Sequence, residues 1–253
     1  MTMLHQVKLG SSGPRVSRLI FGTEHIIDRS PREGGLVLAQ AYRELGINHW
    51  DTAIAYKSHP QVAAGLKEVG REKILVTSKT PARSEEEARV DFNRILDELQ
   101  TDYLDICFLH NVAAGRLKEH LVALKHLQEE KKGGRIHHLG ISTHSASVVR
   151  EAAETADLEI VCATLNYRGT HLDEGSLPEM MEALEQCHQA GKGVYVIKVL
   201  GVGTLASDLR RALEFVARNP HVDAINIGMK NIEEVRENAS LLMELDEDRE
   251  RRD

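Results

Sequence analysis

The sequence predicts an α/β fold, a (β/α)8 TIM barrel preceded by a short β-hairpin, on three observations. Apolar runs begin near Leu19, Ile47, Ile74, Leu104, Ile136, Ile160, Val194 and Val222, spaced by roughly 25 to 35 residues, the length of a strand–helix unit. Helix start and stop signals fill the intervals between those runs. The chain length of 253 residues is ordinary for such a barrel, which takes about 250.

Each element follows from local chemistry. Residues 7–10 and 14–17 flank a Ser-Ser-Gly turn and read as a hairpin within residues 1–18. Ser30-Pro31-Arg32-Glu33 sets a cap, a proline at the first helical position and a capping-box glutamate in sequence. Ser84-Glu85-Glu86-Glu87 and Asn231-Ile232-Glu233-Glu234 repeat the cap-x-x-Glu pattern. Gly46, Gly70, Gly133-Gly134 and Gly191 each follow a helical pattern and precede a strand, as helix stops do. Val90, Ile95, Leu96 and Leu99 form one apolar stripe at helical spacing, and Leu117, Leu121, Leu124 and Leu127 form another. Both are expected to face the barrel. Residues 246–253 are almost entirely charged and read as a frayed, solvated helix end. With no linker visible, residues 1–253 are expected to make one domain.

Composition narrows the function classes. A hydrophobic content of 42% is ample for a core. A formal charge of −7 argues against nucleic acid or anionic membranes as partners. Cys107, Cys162 and Cys187 show no metal spacing, and two lie in apolar strand runs. They read as buried reduced thiols of a cytoplasmic protein. Neither a secretory leader nor a membrane-spanning run is evident. The pattern offers no basis for an oligomeric state.

Four chemically distinct groups sit at or just past the C-terminal ends of three consecutive strands. Asp51 and Tyr56 follow the run from Ile47, Lys79 closes the run from Ile74, and His110 closes the run from Leu104. In a parallel barrel these ends meet on one face, where active sites are built. Singly, each has a plain structural reading as turn cap, loop aromatic, solvent-facing lysine or backbone-bonded imidazole. Together they suit carbonyl reduction. A phenol with an ordinary pKa near 10 is a poor acid at neutral pH, and a nearby ammonium lowers that pKa. A lysine in the barrel mouth needs a carboxylate to keep its charge, a duty for which Asp51 is placed. A histidine beside the phenol can orient a carbonyl by hydrogen bonding.

Asp-Thr-Ala-x-x-Tyr after a strand, then strand-Lys, then strand-Leu-His, resembles the aldo-keto reductase family, whose tetrad Asp, Tyr, Lys and His falls here on Asp51, Tyr56, Lys79 and His110. The resemblance covers nearly the whole chain and includes Gly22 and Thr23 after the first strand, which it implies as cofactor contacts. It implies a barrel that binds NADPH, or NADH, in extended form and passes a hydride to a small aldehyde or ketone, with Tyr56 as proton donor. No Gly-x-Gly-x-x-Gly follows the first strand, so the cofactor residues are expected at later strand ends. Ser142 resembles the serine that holds the nicotinamide carboxamide, and Asn166 is a second candidate there. Leu200-Gly201-Val202-Gly203 resembles a pyrophosphate loop in which glycines admit backbone N–H groups to an anion. Gly228-Met229-Lys230-Asn231 and Glu237-Asn238 resemble the adenosine grip, where a helix begins and offers free N–H groups.

The chain departs from the family pattern in ways that bear on function. Ile197 stands where an aromatic usually stacks on nicotinamide. Lys198 beside it is a candidate for the pyrophosphate. Cys162 or a neighbour replaces a glutamine, and Glu234 falls where glutamine or arginine is common. The loop after His110 is short and little follows the last helix, so the mouth is expected to be open. Glu24, His25, Lys57, His59, Asn111 and His144 are its rim candidates. Two other readings compete. Thirteen histidines raise a metal-dependent hydrolase, but His137 and His138 are adjacent and cannot both point inward from a strand. A catalytically weak cofactor sensor or subunit on the same barrel would explain the missing aromatic, but it has no need of a proton donor.

Overall fold

The computed structural model describes residues 3–251. Strands β1 (Gln6–Lys8) and β2 (Arg15–Ser17) pair antiparallel as the expected hairpin. Eight parallel strands follow: β3 (Leu19–Gly22), β4 (His49–Asp51), β5 (Leu75–Thr80), β6 (Leu104–Leu109), β7 (Ile136–Thr143), β8 (Ile160–Thr164), β9 (Gly193–Ile197) and β10 (Ala224–Gly228). They close into a barrel in the order β10-β3-β4-β5-β6-β7-β8-β9. The sequence predicts every one of these starts to within two residues. Helices α1 (Pro31–Leu45), α2 (His59–Val69), α3 (Glu85–Leu99), α4 (Leu117–Lys132), α5 (Ala146–Glu154), α6 (Leu177–Gln189), α7 (Leu209–Ala217) and α8 (Ile232–Glu250) alternate with the strands.

Because side chains alternate across a strand, each strand feeds two cores. Trp50, Val76, Cys107, Leu109, Val161, Ala163, Val194, Val196, Ile225 and Ile227 face outward and pack with the helices. Ile20, Ile106, Phe108, Ile160, Cys162, Tyr195 and Ala224 face inward and fill the barrel. Gly140 must be a glycine: a Cβ there would lie 2.0 Å from the Ile160 carbonyl oxygen and 2.6 Å from the Phe108 ring. Leu9 and Val16 of the hairpin join the interior cluster. The hairpin is pinned beneath β9 and β10, where the Gly10 N–H donates to Asp223 at 3.0 Å and the Ser11 N–H to the Gly191 carbonyl at 2.9 Å. It seals the N-terminal end of the barrel and leaves the strand C-termini as the open face.

The helix signals act as expected, with two corrections. Ser30 with Glu33 and Ser84 with Glu87 form reciprocal capping boxes, and a third, Ser176 with Glu179, starts α6. Gly46 ends α1 at φ 73° and returns its N–H to Tyr42 and Ala41 carbonyls. Val90 does not belong to its stripe: it is exposed, while Ala88, Phe92, Ile95, Leu96 and Leu99 are buried. The stripe follows the 3.6-residue period from Phe92, a register in which Val90 falls on the solvent side. The charged tail is helical further than expected, since α8 continues to Glu250 and an exposed Arg251–Glu247 pair at 3.2 Å lies along it. Residues 252 and 253 of that tail lie outside the described residues. The three cysteines are buried and unpaired by disulfides. Among the described residues, no helix is long and apolar enough to cross a membrane.

Candidate active site

Period-two alternation delivers the four groups to one place. On β4, His49 and Asp51 point inward while Trp50 points out; on β5 the inward positions are Leu75, Thr77 and Lys79. On β6, Ile106 and Phe108 fill the barrel, and His110 extends the same parity just past the strand. Tyr56 arrives differently, at the end of a single helical turn, Ile54–Tyr56, after β4. That turn is stapled from below by hydroxyls. Thr23 donates to the Asp51 carbonyl at 2.9 Å, and Ser58 sits between Thr23 at 2.8 Å and Thr52 at 2.9 Å.

Lys79 is fully buried, hydrogen-bonded to the Asp51 carboxylate and to the Thr52 carbonyl at 2.8 Å. Its ammonium lies 4.7 Å from the Tyr56 ring centroid. The Tyr56 and His110 rings meet edge to face, with centroids 5.6 Å apart and planes at 87°. Burial is the largest single influence and works to lower the lysine pKa, but Asp51, together with Tyr56 and Cys162, outweighs it and holds the ammonium charged above its ordinary range. Burial also dominates at Tyr56. It pushes the phenol up to about 12, with Lys79 pulling the other way and Asp51 opposing. The sequence reading expects a phenol drawn down by the ammonium; desolvation reverses the net sign. His110 is held down to about 3, first by burial and then by the Lys79 charge, so its imidazole is neutral and offers one N–H.

His49, one layer deeper, is fully buried with Nε2 on the Thr77 hydroxyl at 2.7 Å, and burial lowers its pKa to about 4. A folded pKa below the ordinary 6.5 gives stability that is complete above pH 6.5 and lost as pH falls towards 4. The shift corresponds to about 3 kcal/mol. Thermal unfolding is expected to fall steeply between pH 6.5 and 4, and less steeply in a His49→Gln variant, which cannot take up the proton. Equal slopes for the two proteins would refute this origin.

A cleft of about 430 Å³ runs from Asp51 and Tyr56 to the start of α8. Of the residues expected at a cofactor, it is lined by Gly22, Lys198, Leu200, Gly203, Gly228, Lys230, Glu237 and Asn238. The others do not line it. Thr23 staples the Tyr56 turn. Ser142 accepts the Asn111 N–H at 3.0 Å and so anchors the loop after His110. The Asn166 carboxamide closes its own loop onto Thr170 and the Lys198 carbonyl. Gly201 is buried, with its carbonyl taken by Thr204 and His171. Met229 lies in the core, and Asn231 caps α8 through the Glu234 N–H at 2.9 Å.

Rim candidates divide likewise. Glu24 and His25 line the cleft, but His59 is buried, bridging Glu98 at 2.6 Å and Ser78 at 2.9 Å. Lys57, Asn111 and His144 do not line it, and His144 is tied to Thr164. The sequence reading missed Asn226, an inward polar position within an apolar strand, and Tyr195, whose inward parity with Ile197 was readable. Both Glu234 oxygens are taken at the head of α8, by the Lys230 N–H at 2.8 Å and by Asn231 at 3.3 Å. Among the described residues, no three His, Cys, Asp or Glu side chains converge as a metal site would require.

The family model described as "Aldo/keto reductase family" matches residues 18–212. The chain is similar to L-galactose dehydrogenase of Arabidopsis thaliana, 22% identical over 97% of this chain and 90% of that protein. It is also similar to methylglyoxal reductase DkgA of Escherichia coli O157:H7, 26% identical over 68% of this chain and 65% of that protein. Among solved structures, a putative aldo-keto reductase from Pseudomonas aeruginosa superposes with a TM-score of 0.82 at 24% identity, covering 96% of this chain and 97% of its own. That likeness extends to the barrel fold.

Proposed function

The chain belongs to the aldo/keto reductase family and is an NAD(P)H-dependent oxidoreductase, and on that premise we propose that it reduces an aldehyde or ketone to an alcohol with Tyr56 as proton donor. One observation carries the reading. The buried Asp51–Lys79 pair lies against the Tyr56 ring beside a neutral His110, at the head of the cleft that reaches α8.

The residues of that cleft fit a dinucleotide. Asn238 Oδ1 is buried with no hydrogen-bond partner among the described residues, although its amide donates to the Glu234 carbonyl at 2.9 Å. Gly203, at φ 91°, has open space where a side chain would stand, so its backbone can approach an anion. Lys198 and Lys230 add cationic groups. In this reading Lys198, Leu200 and Gly203 hold the pyrophosphate, and Lys230, Glu237 and Asn238 hold the adenosine end.

When bound, the reduced nicotinamide supplies a hydride to the carbonyl carbon. The chain's own residues handle the oxygen. His110 donates an N–H to it and fixes its direction, while Tyr56 gives it a proton as charge develops. A phenol held near 12 remains protonated at neutral pH and is loaded for donation. Lys79 then stabilises the phenolate that remains, and Asp51 keeps Lys79 charged. The short loop after His110 leaves few fixed substrate contacts, in keeping with a small carbonyl compound as substrate.

Titration with NADPH and NADH, followed by addition of 4-nitrobenzaldehyde, tests the reading. Binding with aldehyde-dependent oxidation is expected, and binding without turnover of any aldehyde would favour the sensor reading that the absence of an aromatic at Ile197 suggests. Glu234 bears on the choice of cofactor. Its carboxylate lines the cleft at the head of α8 and would repel a 2′-phosphate held there, so Glu234→Gln is expected to tighten NADPH by about fivefold and leave NADH nearly unchanged. Equal effects on both cofactors would remove Glu234 from cofactor choice.

A further inference from the structure

Tyr195 is fully buried in β9, two residues before Ile197 and on the same inward face. Its ring stacks on Phe108, with centroids 5.7 Å apart and planes at 21°, and meets the edge of His49 at 5.7 Å. Its hydroxyl donates to Asp51 Oδ2, while Lys79 holds Oδ1 of the same carboxylate. Each oxygen of Asp51 therefore has a partner on a different strand, and the carboxylate cannot turn without breaking one bond. The seventh barrel strand thus carries an inward aromatic, but one layer below the cleft and bound to the tetrad's carboxylate.

Resting on the reductase reading above, we propose that Tyr195 is a positioning residue for the reaction, clamping Asp51 so that the Lys79 charge is held against Tyr56. Ionisable groups face this cluster from every side: Lys79 from β5, His110 after β6, Cys162 from β8, Glu24 after β3 and His49 from β4. Lys198 acts from above on His110 and Cys162. His49 and His110 are held neutral, and burial keeps the Cys162 thiol protonated. Tyr195 itself is pushed well above an ordinary phenol, first by burial and then by Asp51, so it stays a donor. Beyond the burial that dominates it, the acidity of Tyr56 is thus set by Lys79 against Asp51 and, more weakly, Glu24. A hydrogen bond to Asp51 disperses its negative charge and so favours the Tyr56 phenolate.

Removing that one oxygen in Tyr195→Phe leaves Asp51 undispersed and Tyr56 a weaker acid. With 4-nitrobenzaldehyde and NADPH, kcat is expected to fall about threefold while the aldehyde KM stays nearly unchanged. The alkaline limb of kcat is expected to rise by about half a pH unit. In an Asp51→Asn background the same substitution should cost little more, because the clamped group is already gone. Wild-type kcat and an unmoved limb in Tyr195→Phe would overturn the proposal whatever happens to Tm, as would losses that multiply in the double variant. If Tyr195→Phe does not fold, 13C-labelled tyrosine in the wild-type and Asp51→Asn proteins decides the matter. The Tyr195 Cζ resonance is expected to move on Asp51→Asn, and one that does not move overturns the clamp. A wild-type protein that oxidises no cofactor with any aldehyde fails the reductase reading instead, a separate outcome because the resonance still reports the Tyr195–Asp51 bond.

Discussion

Tyr56→Phe is expected to lower kcat for aldehyde reduction by about 10³-fold while leaving the fold and the cofactor Kd nearly unchanged. The substitution removes one hydroxyl from a half-buried residue on a single helical turn. The stapling of that turn by Thr23, Ser58 and Thr52 does not involve the phenol. His110 is neutral with its pKa near 3, so it can orient the carbonyl oxygen but cannot replace a phenol as proton source at neutral pH. Single-turnover reduction of 4-nitrobenzaldehyde at saturating NADPH separates the chemical step from product release. A rate within tenfold of wild type would remove Tyr56 from the role of donor, and unchanged cofactor fluorescence would show that the variant was properly folded.

Lys79→Met is expected to damage both stability and catalysis, and a second substitution should separate the two. The ammonium is about 1% exposed and paired with a carboxylate about 2% exposed. Deleting it leaves Asp51 buried without a cation, which costs about 3–5 kcal/mol when one partner of a buried pair is removed. Tyr195 still donates to the other oxygen, but a neutral hydroxyl cannot replace the charge. Adding Asp51→Asn should restore most of the lost stability by removing the stranded charge. Activity should stay low in the double variant, because the phenolate left after proton donation has lost the cation 4.7 Å from its ring. Urea unfolding of the two variants with kcat for each provides the check. A single variant as stable as wild type would mean that the pair contributes nothing to the fold.

Much of the site was legible because a strand imposes a period of two and a strand end is visible as the close of an apolar run. Asp51, Lys79 and His110 all stand on inward parity at or just past such ends, so their convergence followed once the barrel was inferred. Parity also exposes Asn226 and Tyr195 after the fact. Strand-end polar residues were harder to sort. Thr23, Ser142, Asn166 and Asn231 sit at the expected end of the barrel, yet their side chains hold loops and a helix start. A hydroxyl or amide at a strand end suits a loop as well as a ligand, and sequence spacing does not distinguish the partners.

The sequence by itself determined the eight strand–helix units, the caps that start α1, α3 and α8, and the inward parity of the tetrad strands. These are local properties, set by side-chain alternation, helical period and capping within a few residues. Tertiary structure alone decided that Tyr195 lies beneath the cleft on Asp51, that His59 is buried, and that Tyr56 is raised to about 12 in spite of its lysine neighbour. The depth of an inward residue depends on the stagger between strands around the closed barrel. The net shift of a buried group depends on how desolvation compares with charges brought from other strands, and both are distances between residues far apart in the chain.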